Sequence, residues 1–359
     1  MTGTTLSYKE FIKLERLRDI FDDNYAFTHL LANYLNLCPD LITEEMIETL
    51  CGDGSLTTEE AISAILSEVF LPNSLTDPRE RTLARAYLAK AVRVLSPTRY
   101  REDAYTKAMA RVVDSKIGRV EIKNELYPPY RGIVANEVER LSDGTEIIPL
   151  GFFKEPFPFL AVLEDENEWM TLTPVDMDTS QDAIREARGR VITFGLGLGY
   201  FAFHASEKEE VSEVVVIEKS PEVIRLFTET LLPHFPHKEK IRIIEGDAFR
   251  YAEEEMPKER FDFAFVDTWR DVSDGLPMYL RMKKAEEKNP SCTFSYWIED
   301  FILSHLRSFV FEEIYERECA DKTHRGENAI GTMKEILYAL SKEGLREEAI
   351  RRTKGMFIS

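Results

Sequence analysis

Three glycines and three acidic residues are spaced so that together they could hold a nucleoside. The run Val191-Ile192-Thr193-Phe194-Gly195-Leu196-Gly197-Leu198-Gly199-Tyr200-Phe201 ends an apolar segment in alternating glycines. Such a loop lets the backbone turn tightly and lets a ligand approach the main chain. A helix beginning just beyond it offers free N–H groups to a carboxylate or another polar group. Roughly twenty residues on, Val214-Val215-Val216-Ile217 ends at Glu218, a position from which a carboxylate accepts both hydroxyls of a ribose. Ile241 to Ile244 leads into Glu245-Gly246-Asp247-Ala248-Phe249, where an acid can take an adenine amino group with Phe249 or a neighbour against the ring. Phe261 to Val266 ends at Asp267, followed by Thr268-Trp269-Arg270-Asp271. Parallel sheets bind ligands at the edge where successive strands end in this way.

These residues require a scaffold of alternating strands and helices. Apolar, β-branched runs fall at 191–194, 213–217, 241–244 and 261–266, with helix-like segments between them, and a fifth run falls at Thr293 to Trp297 after a helix around Pro277 to Glu287. Alternation of this kind predicts parallel strands with crossover helices. The fold class is therefore α/β, a Rossmann-like doubly wound parallel sheet, carrying an N-terminal helical domain and a small β-rich segment. Residues 1–115 read as helices: Phe11, Leu14, Leu17, Ile20 and Phe21 share one helical face, Thr57 and Glu60 form a capping box, and Pro78 opens a run through Val94. Residues 116–178 are rich in proline and turn signals such as Ser142-Asp143-Gly144, which predicts antiparallel strands ending in a hairpin from Phe159 to Leu172. Residues 179–300 form the ligand-binding domain and 301–359 a helical extension.

Composition narrows the partners. The formal net charge is −19 over 359 residues, and such a surface repels a phosphate backbone, so a small molecule or a peptide is expected rather than nucleic acid. No apolar run is long enough for a membrane span, and the N-terminus enters a charged amphipathic pattern rather than a signal peptide, which places the protein in the cytoplasm. Cys38, Cys51, Cys292 and Cys319 lack metal-binding spacing. His234 and His237 sit on a proline-broken loop, and the Asp53-Gly-Ser-Leu-Thr-Thr stretch lacks the glycine and carboxylates of a calcium loop, so no metal is expected.

With those motifs in view, residues 191–279 resemble the class I S-adenosylmethionine-dependent methyltransferase fold, and within it the spermidine-synthase-like branch. The glycine loop, Ile217-Glu218-Lys219-Ser220-Pro221-Glu222-Val223-Ile224, Gly246-Asp247-Ala248 and Val266-Asp267 carry the resemblance. It implies S-adenosyl-L-methionine as cofactor, held by Gly195, Gly197, Gly199, Glu218, Asp247, Ala248 and Asp267. It also implies Asp267 and Asp271 as the catalytic pair that orients and deprotonates an acceptor. Two positions depart from it: Thr193 stands where many methyltransferases carry an acid, and Leu198 where polyamine synthases carry an aspartate. The cofactor's amino group must then meet Asp267, Asp176 or Asp178. The spacing Asp267-Thr-Trp-Arg-Asp271 is one residue longer than the polyamine-synthase motif.

Methyl transfer to a small molecule or peptide is the leading expectation. Aminopropyl transfer from decarboxylated S-adenosylmethionine and a non-catalytic cofactor-binding scaffold are the alternatives. A nicotinamide dehydrogenase is disfavoured by Gly246-Asp247-Ala248. Trp269, Tyr279, Trp297 and Glu299 are candidate pocket walls, Asp271 and Asp274 candidate caps of the helix near Pro277, and His204 a structural residue. The N-terminal helices could serve as a dimerisation arm, a lid or a docking domain.

Overall fold

The computed structural model describes residues 6–72, 77–269, 272–319 and 333–355. It opens on a thirty-residue helix, α1 (Tyr8–Leu37), whose N-terminus is closed by a capping box between Ser7 and Glu10. The expected stripe is partly realised: Leu14 and Phe21 are buried, whereas Phe11 stays on the exposed side. Thr57 and Glu60 form the anticipated capping box on the helix Thr58–Phe70. The helix opened by Pro78 stops at Ala91 rather than Val94, because Val92–Val94 extends and pairs in parallel with Leu150–Phe152. Two β-branched residues in a three-residue run pack better on a pleated surface than on a helix. After a short helix α2 (Ala104–Met109) the chain enters the β-rich segment.

That segment holds an antiparallel sheet in chain order, β1 (Ser115–Ile117), β2 (Val120–Tyr127), β3 (Phe157–Glu164) and β4 (Asn167–Thr171). The β3–β4 hairpin turns through Asp165 and Glu166, both at positive φ, as the twist of a two-residue hairpin turn requires. It leads to α3 (Pro174–Thr179) and then to the central sheet: β5 (Gly189–Phe194), α4 (Tyr200–Glu207), β6 (Val211–Glu218), α5 (Pro221–Thr230), β7 (Ile241–Glu245), β8 (Phe263–Val266), α6 (Val272–Glu286) and β9 (Thr293–Tyr296). All pairings in it are parallel, in the order β7-β6-β5-β8-β9. The connections reverse direction between β5 and β8, which opens a crevice beyond their C-terminal ends.

The strands are continuous runs of apolar residues because both faces are covered. Val191, Val214, Val216, Phe263 and Phe265 point to the face packed by α4, α5 and the antiparallel sheet. Ile192, Phe194, Val215, Ile217, Ala264 and Val266 point to the face packed by α6, α7 (Glu299–Cys319) and the C-terminal helices. Phe21 of α1 stacks on Phe311 of α7, with ring centroids 4.3 Å apart, so the first helix shares the core of the last ones. A third cluster joins Leu31, Ile47, Ile62 and Leu88 to Leu150 and Phe152.

The register decides where the site can be. Phe194 lies level with Ile217 and Val266, Ile217 with Ile244, and Val266 with Tyr296. The next row along the same edge is therefore Gly195, Glu218, Glu245, Asp267 and Trp297. The helix α6 begins at Val272 and carries Pro277 inside it, so Asp274 lies within the helix rather than capping one. Asp271 lies outside the described residues.

Candidate functional site

Each strand end is pinned to its neighbour by a main-chain hydrogen bond. The N–H of Gly195 donates to the carbonyl of Ile217 (2.9 Å), that of Gly246 to Glu218 (2.9 Å), that of Asp267 to Phe194 (2.9 Å) and that of Trp297 to Val266 (2.9 Å). Gly195 has φ +99°, and a Cβ there would collide with the Asp267 carbonyl, so only glycine lets the first strand turn so close to the fourth. The loop then leads into α4 with Gly199 as its N-cap.

The carboxylates divide between two neighbourhoods. Glu218 accepts from the N–H of Leu196 in the glycine loop (3.2 Å) and from the N–H of Ser220 (2.8 Å). Each of its oxygens keeps further acceptor capacity. Asp247 is exposed at the end of β7 and caps the short helix Ala248–Arg250 by accepting from the Arg250 N–H (2.8 Å). Ala248 is partly buried behind it, and Phe249 is buried, with the Arg281 guanidinium 4.7 Å from its ring centroid.

Asp267 belongs instead to a cavity of about 30 Å³ at the switch between β5 and β8, where it meets Asp176, Thr193, Tyr200, Trp297 and Met170. Glu218 and Asp247 do not line this space. Burial pushes the Asp267 carboxyl up to about 7, helped by the negative charges of Asp176 and Glu218. Burial likewise holds Asp176 up at about 6, against the opposing hydrogen bonds from Thr173. The N–H and hydroxyl of Thr173 both donate to Asp176 Oδ2 (2.8 and 2.7 Å), which fixes that side chain at the start of α3. No Lys, Arg or His lines the cavity among the described residues. With no basic side chain among the described lining residues, negative charge on these two partly buried carboxyls is disfavoured, and a cation brought beside them would relieve it.

Asp178, one of the candidate partners for a cofactor's amino group, is turned away: it takes Arg99 Nη2 (2.5 Å) and the Tyr100 hydroxyl (3.0 Å). Trp297 does wall the cavity, and its Nε1 donates to Thr179 Oγ1 (2.9 Å), tying β9 to the helix that carries Asp176. Glu299, by contrast, is held by Tyr279 and Arg346 outside the cavity. Tyr279 is fully buried, and Trp269 is buried and stacked parallel to Tyr296, so both are core residues rather than pocket walls. His204 packs 3.2 Å from Asp103 in a structural setting. His237 sits beside Glu239, 3.4 Å away.

One residue at the site had no signal in the sequence. β4 carries a bulge opposite β3: Val162 pairs with Met170 and Leu163 with Glu168, leaving Trp169 as the extra residue. Bulges re-aim side chains, and here Met170 is turned onto the glycine loop. Its sulfur accepts from the Leu198 N–H at 3.3 Å, and it fills the concavity of Gly197, whose φ is +48°. Trp169 turns to the rim, with the Lys219 ammonium 5.9 Å from its ring centroid. The polar groups along this edge fit a sulfonium nucleoside: accepting carboxylates at the β6 and β7 ends, donating glycine-loop amides, and a carboxyl pair in the cavity. Met170 occupies the approach to Gly197, so a ligand of that kind must displace it.

The sheet order and the strand-end edge define a doubly wound, Rossmann-like α/β protein with a crevice at its switch point. No family model matches the chain, and no curated protein matches it in sequence. Among solved structures the chain is similar to spermidine synthase from Thermotoga maritima, at 11% identity over 50% of this chain and 63% of that one, with a TM-score of 0.31. It is similar as well to a spermidine synthase in complex with the transition-state analogue AdoDATO, at 13% identity over 55% and 62% of the two chains, with a TM-score of 0.33. The chain spans less than two thirds of either structure.

Proposed function

We propose that the protein is a transferase that passes an alkyl group from an S-adenosylmethionine-type sulfonium to an amine, with methyl transfer to a small molecule or peptide as the first reading. The observation that carries it is the Asp176–Asp267 pair, two carboxyls raised toward neutrality in one cavity beside a glycine loop. Glu218 and Asp247 would hold the adenosine half and the loop amides the middle. The sulfonium, when bound, supplies an electrophilic carbon, and the protein's part is alignment and proton management.

Asp176, fixed by Thr173, holds an ammonium in place. Asp267 orients the attacking amine and takes its proton. Burial raises the affinity of a carboxylate for a proton and lowers that of an amine, so the two approach each other and the transfer becomes feasible near neutral pH. The first turn of α4 (Tyr200 to Ala202) also lines the cavity and presents N–H groups suited to a carboxylate, which favours intact S-adenosylmethionine as donor.

A second reading is aminopropyl transfer from decarboxylated S-adenosylmethionine. It is favoured by the lack of any basic side chain among the described cavity residues, since a donor without a carboxylate needs none. Incubation with each donor and a panel of amines separates the two. S-adenosylhomocysteine as product supports the first and methylthioadenosine the second. Failure of both nucleosides to bind in calorimetry refutes the proposal as a whole.

A further inference from the structure

The residues 97–109 that precede the β-rich segment make close contacts with the cavity residue Tyr200 and with residues beside the cavity. Tyr100 and Arg99 hold Asp178. Asp103 caps α2 through its Oδ1, while the Tyr200 hydroxyl donates to its Oδ2 at 3.2 Å. Tyr105, from α2, is wholly buried and donates its hydroxyl to the main-chain carbonyl of Leu198 at 2.6 Å. Its ring packs edge-on against Tyr200 (5.5 Å between centroids), Phe203 (5.3 Å) and Phe235 (6.3 Å).

Leu198 is thus gripped from two sides. Its carbonyl is satisfied from behind by Tyr105, and its N–H faces Met170, a thioether and hence a weak acceptor. A buried carbonyl left without a partner is costly. The Tyr105 hydroxyl therefore biases the loop toward the arrangement in which the neighbouring amide points into the crevice. A weak acceptor opposite that amide is a partner that a better one can replace.

We infer that Tyr105 is a positioning residue of the ligand site: its hydroxyl fixes the glycine loop so that the Leu198 N–H donates to the bound donor molecule once Met170 has moved. The inference rests on the sulfonium-nucleoside reading for the identity of the ligand, but not for the behaviour of the loop.

The test uses the full chain and Tyr105→Phe, which keeps the three aromatic contacts and removes only the hydroxyl. Calorimetry with S-adenosylhomocysteine should show Kd raised about fivefold to tenfold, the worth of one buried hydrogen bond. In turnover the loss should fall on KM for the donor, with kcat and KM for the amine within about twofold. Hydrogen exchange without ligand provides the second readout: amides of Leu196 to Phe201 should exchange about tenfold faster in the variant, while those of β6 keep their protection. Accelerated loop exchange with no binding of any sulfonium nucleoside by the parent would leave the positioning role intact and remove the ligand assignment. Unchanged loop exchange overturns the inference, as does a Kd within twofold of the parent.

Discussion

Replacing Asp267 with Asn should make the protein more stable above neutral pH while removing its activity. Asp267 is raised from 3.8 to about 7, so between those two values the folded state holds a proton that the unfolded chain has released. Stability from this group is complete below the unfolded pKa and is lost as pH climbs through the folded one. At about 1.4 kcal/mol per unit, the uncompensated charge costs on the order of 4 kcal/mol at pH 8, an upper figure because Asp267 keeps some access to solvent. Asn has nearly the same shape and no charge, so it should escape this loss. Urea unfolding of the parent and of Asp267→Asn at pH 5 and pH 8 measures it: the gap in favour of the variant should widen between the two, with about 3 kcal/mol as the ceiling. Turnover in the parent should rise with pH through about 7 as the carboxylate becomes available, and the variant should show no such limb. Parallel stability curves for the two proteins would refute the claim that desolvation raises this carboxyl toward neutrality.

Other consequences follow from the same geometry. Asp176→Asn should relieve Asp267 of a neighbouring negative charge, so the pH–rate limb should move to lower pH while KM for the donor rises; a profile unchanged in position would mean that the two carboxyls do not interact. Glu218→Ala removes an acceptor from the Leu196 N–H and from any ribose, and should weaken S-adenosylhomocysteine binding about tenfold to a hundredfold in calorimetry. Met170→Ala clears Gly197 and should tighten the same ligand about fivefold, because less of the binding energy goes into displacing the side chain. If Met170→Ala weakens binding instead, the methionine is part of the ligand's own pocket rather than a placeholder.

Much of the frame was legible in the chain. Continuous runs such as Val214 to Ile217 and Phe263 to Val266 can only be strands buried on both faces, and their spacing by helical segments implies the parallel order found here. The capping box at Thr57 and the hairpin near Asp165 are local, so a few neighbouring residues sufficed to specify them. Less was legible where a residue's partner is distant. Nothing near Val92 announces that it will pair with Leu150, and nothing around Tyr279 says that Glu299 will take its hydroxyl in the core.

The order of strand and loop, and the presence of glycines and acids at successive strand ends, belonged to the sequence alone, because they depend on side-chain period and backbone freedom over short stretches. Which acids share a space was decided only by the tertiary structure. Asp176 joins Asp267 while Asp178, two residues on, is drawn off by Arg99 and Tyr100. The placing of Met170 against the N–H of Leu198 and of Tyr105 behind its carbonyl is likewise tertiary, 28 and 93 residues apart in the chain. Charge and hydrogen-bond energies depend on distance and burial in space, and neither quantity is written into the order of residues until the chain has closed on itself.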